Sequence, residues 1–261
     1  MNAPAISLAG RNALVIGGAS GIGLATARLF VALGAVTAIA DRNAQGLEAA
    51  CAETGARAGF AVNVTAEDQV ETLFTEAEAT LGALDIVVNC AGIGGDFVPT
   101  VDQDLKHWQR IVDVNLRGTW LVCRAAGRRM LPRRRGSLIN IASLTGMGGF
   151  PRRNAYGASK AGVALMTKAL ASEWGHAGIR VNCLVPGYIR TPTVAAWADG
   201  NQLDGQRIID RTPLRRWGQA QDLAHAIAFL VSDWAGFITG AVLPVDGGWT
   251  AFEGAGEVSS A

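Results

Sequence analysis

The chain is short of the residues that most often carry metal, disulfide or charge-driven function. Its 261 residues include two tyrosines, three lysines, four cysteines and three histidines, so nearly all of its 23 basic residues are arginine. Cys51, Cys90, Cys123 and Cys183 are far apart with no C-x-x-C pair. That spacing excludes a zinc-ribbon type of site and a disulfide framework, and it fits a reducing, cytoplasmic setting. His107, His176 and His225 match no metal-ligand spacing, so no metal is expected. A formal net charge of +1 gives no electrostatic footprint for nucleic acid or an anionic membrane. The longest apolar run, 29–40, is interrupted by Gly34 and falls well short of the about 20 residues a membrane span needs. The opening MNAPAISLAGRN has no basic region leading an apolar run, so no secretory signal is expected.

Glycine and apolar residues are abundant instead: 33 glycines, 49% hydrophobic and 17% charged residues. This balance supplies a large core with many tight turns and excludes a disordered chain. Short apolar runs at 13–16, 36–40, 57–62, 86–89, 137–141, 180–184 and 241–245 alternate with helical patterns at 22–33, 44–54, 66–81, 105–130, 155–174 and 220–232. The runs are continuously apolar, as in parallel strands covered on both faces. The alternation predicts a single α/β domain over 1–261: a doubly wound, Rossmann-type parallel sheet of about seven strands flanked by helices. The stretch 186–216 interrupts the rhythm and reads as a functional lid or binding loop with a short helical piece near 206–210. The polar, glycine-rich tail after Trp249 carries little signal for order. Arg128-Arg129 and Arg133-Arg134-Arg135 flank Met130-Leu131-Pro132 and read as a helix C-terminus with a solvated turn. A docking patch for an acidic partner is the other reading.

The first strand runs into GGASGIG, with Gly17, Gly21 and Gly23 in the spacing G-x-x-x-G-x-G and Ser20 and Ile22 between them. A glycine turn that follows a strand and opens a helix lets the backbone approach a pyrophosphate, and the helix N-terminus stabilises the anion. The second strand ends at Asp41. A carboxylate there accepts hydrogen bonds from a ribose and repels a 2′-phosphate, which favours NAD over NADP. Arg42 beside it could receive that phosphate, and Asp41 could instead serve as a turn or helix cap.

Tyr156 and Lys160 stand four apart in NAYGASKAG and share a helical face. A cation beside a phenol favours the phenolate, which suits the pair to proton exchange with an alcohol. Spacing alone equally fits a buried tyrosine and a solvated lysine, with Ser159 between them as packing.

The motifs together decide. Besides the glycines and the Y-x-x-x-K pair there are Asn89-Cys90-Ala91-Gly92, Asn115 in DVNLRG, Ser143 in NIASLTG, Pro186-Gly187 in VNCLVPGYIRTP, and VDGGW at 245–249. In that order the chain resembles the short-chain dehydrogenase/reductase family over nearly its whole length. The resemblance implies an NAD(P)-dependent oxidoreductase acting on a small secondary alcohol or ketone. It implies Tyr156 as general acid/base, Lys160 as its cation and ribose ligand, Ser143 as the donor to the substrate oxygen, and Asn115 as support for a water-linked proton path. Around the cofactor it implies Asn63, Val64, Asn89, Ala91, Gly92, Pro186, Gly187, and Ile189 and Thr191 on the carboxamide and phosphate side. It also implies a homotetramer built on the two long helices and the last strand. Two positions depart from the pattern: Ile16 stands where a threonine is usual, and Asn63-Val64 where Asp-Val is usual, leaving the Asn63 carbonyl to meet the adenine amine.

The segments 93–98, 144–153 and 188–203 should face the substrate. They contribute Ile93, Gly94, Gly95, Leu144, Thr145, Met147, Phe150, Tyr188, Val194 and Trp197, with Asp96, Arg152 and Arg153 at the rim. A polyol, a cyclic alcohol or an aryl ketone would fit. A 3-oxoacyl-carrier-protein reductase, with the arginine cluster docking the carrier, and a non-catalytic NAD-binding sensor or scaffold are the alternatives.

Overall fold

The computed structural model describes residues 6–95, 97–200, 203–253 and 258; Asp96 and most of the glycine-rich tail therefore lie outside the described residues. Seven parallel strands form one sheet in the order β3-β2-β1-β4-β5-β6-β7. They are β1 (Asn12–Ile16), β2 (Val36–Asp41), β3 (Ala58–Ala61), β4 (Ile86–Asn89), β5 (Gly136–Ile141), β6 (Ile179–Pro186) and β7 (Val242–Val245). Helices α1 (Gly21–Ala32), α2 (Ala44–Thr54), α3 (Glu67–Leu81), α4 (Leu105–Val112), α5 (Gly118–Arg133), α6 (Asn154–Trp174), α7 (Pro192–Asp199), α8 (Gly205–Arg211) and α9 (Ala220–Val231) connect them.

The strands are apolar throughout because both faces are covered, and successive side chains point to opposite sides. Leu14 and Ile16 join Phe74, Leu121, Val122 and Trp174 under α3, α5 and α6. Ala13 and Val15 join Phe30, Ile39, Leu47, Leu223 and Ile227 under α1, α2 and α9. The two edge strands depart from this: β3 alternates between partly buried and exposed positions, and β7 is exposed at its centre. Strand order reverses between β1 and β4, and ligands of such sheets bind at the C-terminal ends of the strands flanking that point. A methyl at Gly17, after β1, would lie 2.7 Å from the Ala91 amide nitrogen, after β4, so the two turns touch at the switch point.

Three expectations change. The helix expected over 105–130 is interrupted by a π-turn, Asp113–Arg117, with Asn115 fully buried inside it. Such wide turns re-aim side chains and recur at functional sites. The helix also continues past Met130 and through Pro132 to Arg133, and Arg134 ends it in the left-handed region (φ 53). Within 186–216 there are two helices, not one short piece. Thr191 caps α7 and Pro192 occupies its first turn, which the run TPTVAAWAD encodes locally.

The arginine cluster closes a helix and runs into an exposed turn, as expected, and it is also ion-paired. Arg128 and Arg129 pair with Glu71 at 2.7 and 3.1 Å, Arg129 also with Glu78 at 3.3 Å, and Arg135 with Asp85 at 3.0 Å. Burial pushes the Glu71 carboxyl up, but the two guanidiniums more than offset this and hold it below its ordinary value. The cluster staples α5 to α3 and to the turn before β4.

Candidate active site

The glycine turn is made of backbone contacts that no side chain could share. Gly17 and Gly21 have φ of 78° and 53°, and a methyl at Gly23 would sit 2.0 Å from the Gly17 carbonyl oxygen. Ser20 stands at the N-cap of α1 and makes no side-chain cap hydrogen bond. The first-turn amides therefore keep unfilled donor capacity toward the groove. That groove, about 300 Å³, is lined by Gly17, Ser20, Gly21, Ile22, Gly23, Asp41, Arg42, Asn63, Val64, Ala91, Gly92 and Thr191. Asp41 accepts from the Ala19 amide at 3.1 Å and the Asn43 amide at 3.0 Å, one per oxygen. Each oxygen retains a lone pair. A dinucleotide fits this donor and acceptor set: open amides for its phosphates and a partly exposed carboxylate for a ribose.

Some expected groove contacts are already taken within the chain. Asn63 Oδ1 accepts from the amide and the hydroxyl of Thr65, at 3.2 and 2.9 Å, so it closes a local turn and its two lone pairs are occupied. The Ile189 carbonyl accepts from the Thr191 amide at 2.8 Å and keeps a second lone pair for a cofactor. Asn89 lies beneath the groove, bonded to Thr119 at 3.1 Å, and orders the turn by accepting from the Ala91 amide at 3.3 Å. Burial pushes the Cys90 thiol up to about 12 against the pull of Lys160, so it stays protonated and inert at neutral pH.

On the other side of the switch point the sheet presents β5 and the start of α6. Lys160 is 5% exposed, and its Nζ donates to the Ile141 carbonyl at 2.9 Å and lies 5.8 Å from the Tyr156 ring centre. A methyl at Gly92 would be 3.3 Å from Lys160 Nζ and 3.2 Å from Asn115 Oδ1, so this glycine lets the two groups approach one point. Asn115 Oδ1 accepts from the Ile93 amide at 2.8 Å, and its Nδ2 donates to the Ile93 carbonyl at 3.0 Å and to Ser159 Oγ at 3.3 Å. Ser159 donates in turn to the Tyr156 carbonyl at 2.7 Å. The residue read as packing is therefore a buried polar link between the π-turn and the Tyr156 turn of α6.

Ser143 and Tyr156 line one cavity of about 100 Å³ with Phe97, Leu144, Thr145, Phe150, Arg153, Gly187, Tyr188, Val194, Trp197 and Leu203. Arg153 is not at its rim. It is 8% exposed, donates to the Gly95 carbonyl at 2.6 Å, and stands 4.5, 4.7 and 5.5 Å from the ring centres of Phe97, Tyr156 and Trp197. Phe97 and Trp197 meet edge to face at 6.2 Å. Gly94 leaves room for that indole: a methyl there would be 2.3 Å from Trp197 Cη2. Arg153 is the non-helical N-cap of α6, so helix periodicity gave no signal for its position. Tyr188 packs on Trp249 at 4.8 Å and Trp217 at 6.0 Å, and burial pushes its phenol up while Arg153 and Arg211 oppose this. Met147, Gly148 and Gly149 are exposed and absent from the lining. Among the described residues no group of His, Cys, Asp or Glu could hold a metal ion, and no helix is long and apolar enough to cross a membrane.

Comparison with known proteins adds an independent finding. A family model described as enoyl-(acyl carrier protein) reductase matches residues 17–250. The cis-4-hydroxycyclohexanecarboxylate dehydrogenase of Sinomonas cyclohexanicum is 40% identical over 249 residues, covering 94% of this chain and 98% of that one. The D-threitol dehydrogenase of Mycolicibacterium smegmatis is 38% identical, covering 93% and 94%. A crystal structure from Agrobacterium tumefaciens, described as a candidate 2-deoxy-D-gluconate 3-dehydrogenase with bound NADP, superposes with a TM-score of 0.85 at 37% identity, covering 95% and 99%.

Proposed function

This chain belongs to the short-chain dehydrogenase/reductase family of NAD(P)-dependent oxidoreductases, and on that premise we propose that it interconverts a ring secondary alcohol and its ketone with NAD(H) preferred over NADP(H). The observation that carries the reading is the shared cavity of Ser143 and Tyr156, with Lys160 behind the tyrosine and the glycine-turn groove alongside. When bound, the nicotinamide supplies the hydride acceptor or donor. The amides at the start of α1 hold its phosphates, and Asp41 holds the adenosine ribose and disfavours a 2′-phosphate. Ser143 donates a hydrogen bond to the substrate oxygen. Tyr156 takes the carbinol proton in oxidation and returns it in reduction. Lys160, fixed by the Ile141 carbonyl, stabilises negative charge that develops on that phenol during proton transfer. Asn115 holds the Ile93 turn, which lines the cofactor groove.

The substrate half of the reading rests on the walls. Phe97, Phe150, Tyr188 and Trp197 surround a small cavity and suit a flat or cyclic carbinol more than a long chain. One relative is named for a hydroxycyclohexane acid and another for a polyol, so both classes belong in the test. Initial rates of cyclic alcohols, polyols and aryl carbinols with NAD+ and with NADP+, and of the ketones with the reduced forms, decide it. Faster turnover of polyols, or a preference for NADP+, would overturn that half of the proposal. The carrier-protein reductase reading keeps an exposed basic cluster, since Arg128 and Arg135 stay 57% and 55% exposed while paired with Glu71 and Asp85; turnover of an acyl thioester with NADPH tests it. Exposed Leu165 (70%) and Trp120 (43%), on α6 and α5, support a tetramer through those helices, which light scattering of the purified chain tests.

A further inference from the structure

Ser143 sits at the end of β5 with extended backbone, φ −167° and ψ 154°, and opens a single 3-10 turn, Leu144–Gly146. Its Oγ accepts from the Thr145 amide at 3.3 Å, and the Thr145 hydroxyl lies 3.0 Å from the same oxygen. A serine oxygen has two acceptor lone pairs and one proton. With both Thr145 groups donating, the lone pairs are taken, and the Ser143 proton is left to point away from Thr145 into the cavity both residues line.

The turn is held firmly enough for this to matter. A methyl at Gly146 would be 2.7 Å from the Ala161 amide nitrogen, and one at Gly157 would be 2.9 Å from the Thr145 carbonyl oxygen. Two glycines thus let the Thr145 backbone press directly on α6, the helix that carries Tyr156 and Lys160. Thr145 cannot drift relative to the tyrosine without moving main chain.

We propose that Thr145 is a positioning residue that sets Ser143 as an obligate hydrogen-bond donor to the substrate oxygen. A donor chain Thr145–Ser143–substrate polarises in one direction, and each bond strengthens the next. Without the Thr145 hydroxyl, Ser143 regains a lone pair and rotates among several partners. The donor then has to be reoriented in every turnover. This rests on the proposed role of Ser143.

The test is a double-mutant cycle read with the fastest alcohol of the NAD+ screen. Ser143→Ala alone should lower kcat about 100-fold; if it does not, the function proposed above is wrong at this residue and the inference falls with it. Given that loss, Thr145→Val should lower kcat about tenfold with KM nearly unchanged, Thr145→Ser should restore it, and Thr145→Val should add less than about twofold on a Ser143→Ala background. An equal loss on both backgrounds, or no rescue by serine, would show a purely structural threonine. A neutral valine also overturns the proposal. NADH binding and the melting temperature of each variant identify any misfolded protein. Neutron diffraction of the ligand-free wild-type enzyme locates the hydroxyl protons directly and needs no substrate. A deuterium carried by Thr145 and directed at Ser143 Oγ supports the inference, and one carried by Ser143 and directed at Thr145 refutes it.

Discussion

The cofactor groove and the substrate pocket lie on adjacent turns of the same sheet edge and are built by opposite means. The groove is mostly backbone: a methyl at Gly17 would strike the Ala91 amide and one at Gly23 the Gly17 carbonyl, Gly21 needs its positive φ, and the one decisive side chain, Asp41, sits at the end of β2. The pocket is side chain: Arg153 gathers Phe97, Tyr156 and Trp197, which belong to three separate segments. A backbone-built site constrains residue type at each position, since only glycine fits. A side-chain-built site constrains only the joint outcome, so it can be rebuilt for another substrate while the groove stays the same.

The largest test of this division is Tyr156→Phe. It should lower kcat about 10³-fold, as expected for loss of a general acid/base, and leave NADH affinity unchanged by fluorescence titration. Loss of cofactor affinity in that variant would mean that the two regions are not separable. Gly23→Ala attacks the other side. Its methyl meets a carbonyl oxygen that cannot step aside, and a cost of about 3 kcal/mol predicts roughly 100-fold weaker NADH binding, together with a lower melting temperature. Arg153→Met should lower kcat/KM about 30-fold, from loss of roughly 2 kcal/mol of desolvated cation–π contact, with cofactor affinity intact. A parallel loss of NADH binding would place Arg153 in both regions. The smallest effect belongs to Asp41→Ser, which should move the NADP+/NAD+ ratio of kcat/KM about tenfold toward NADP+ without changing which alcohols react. A change in alcohol selectivity there would contradict the separation.

How much of each region could be read in advance follows from how it is built. The glycine turn and the Tyr156–Lys160 pair are local patterns, spanning seven and five residues, and local sterics and helix periodicity suffice to place them. The π-turn at Asn115 was hidden, because the one weak breaker in DVNLRG, Gly118, follows it and the wide turn is stabilised by hydrogen bonds to Ile93, 22 residues away. Arg153 was expected at a rim, where a guanidinium is normally found. One of its partners in the buried position is the Gly95 carbonyl, 58 residues away in sequence. Ser159 looked like a packing residue because its partner, Asn115, is 44 residues away. The ion pairing of the arginine cluster was hidden because Glu71 lies on α3, 57 residues before Arg128.

By itself the sequence determined the alternating strands and helices, the glycine turn, Asp41 at the end of the second strand and the face shared by Tyr156 and Lys160. Each of these depends on contacts within a few residues or on the period of a single element. Tertiary structure alone decided where the charged and polar side chains end up: Arg153 among three rings, and Ser159 and Asn115 as one buried link. The reason is desolvation. A buried cation or hydroxyl is stable only where partners from distant segments satisfy it, and those partners come together only when the sheet closes.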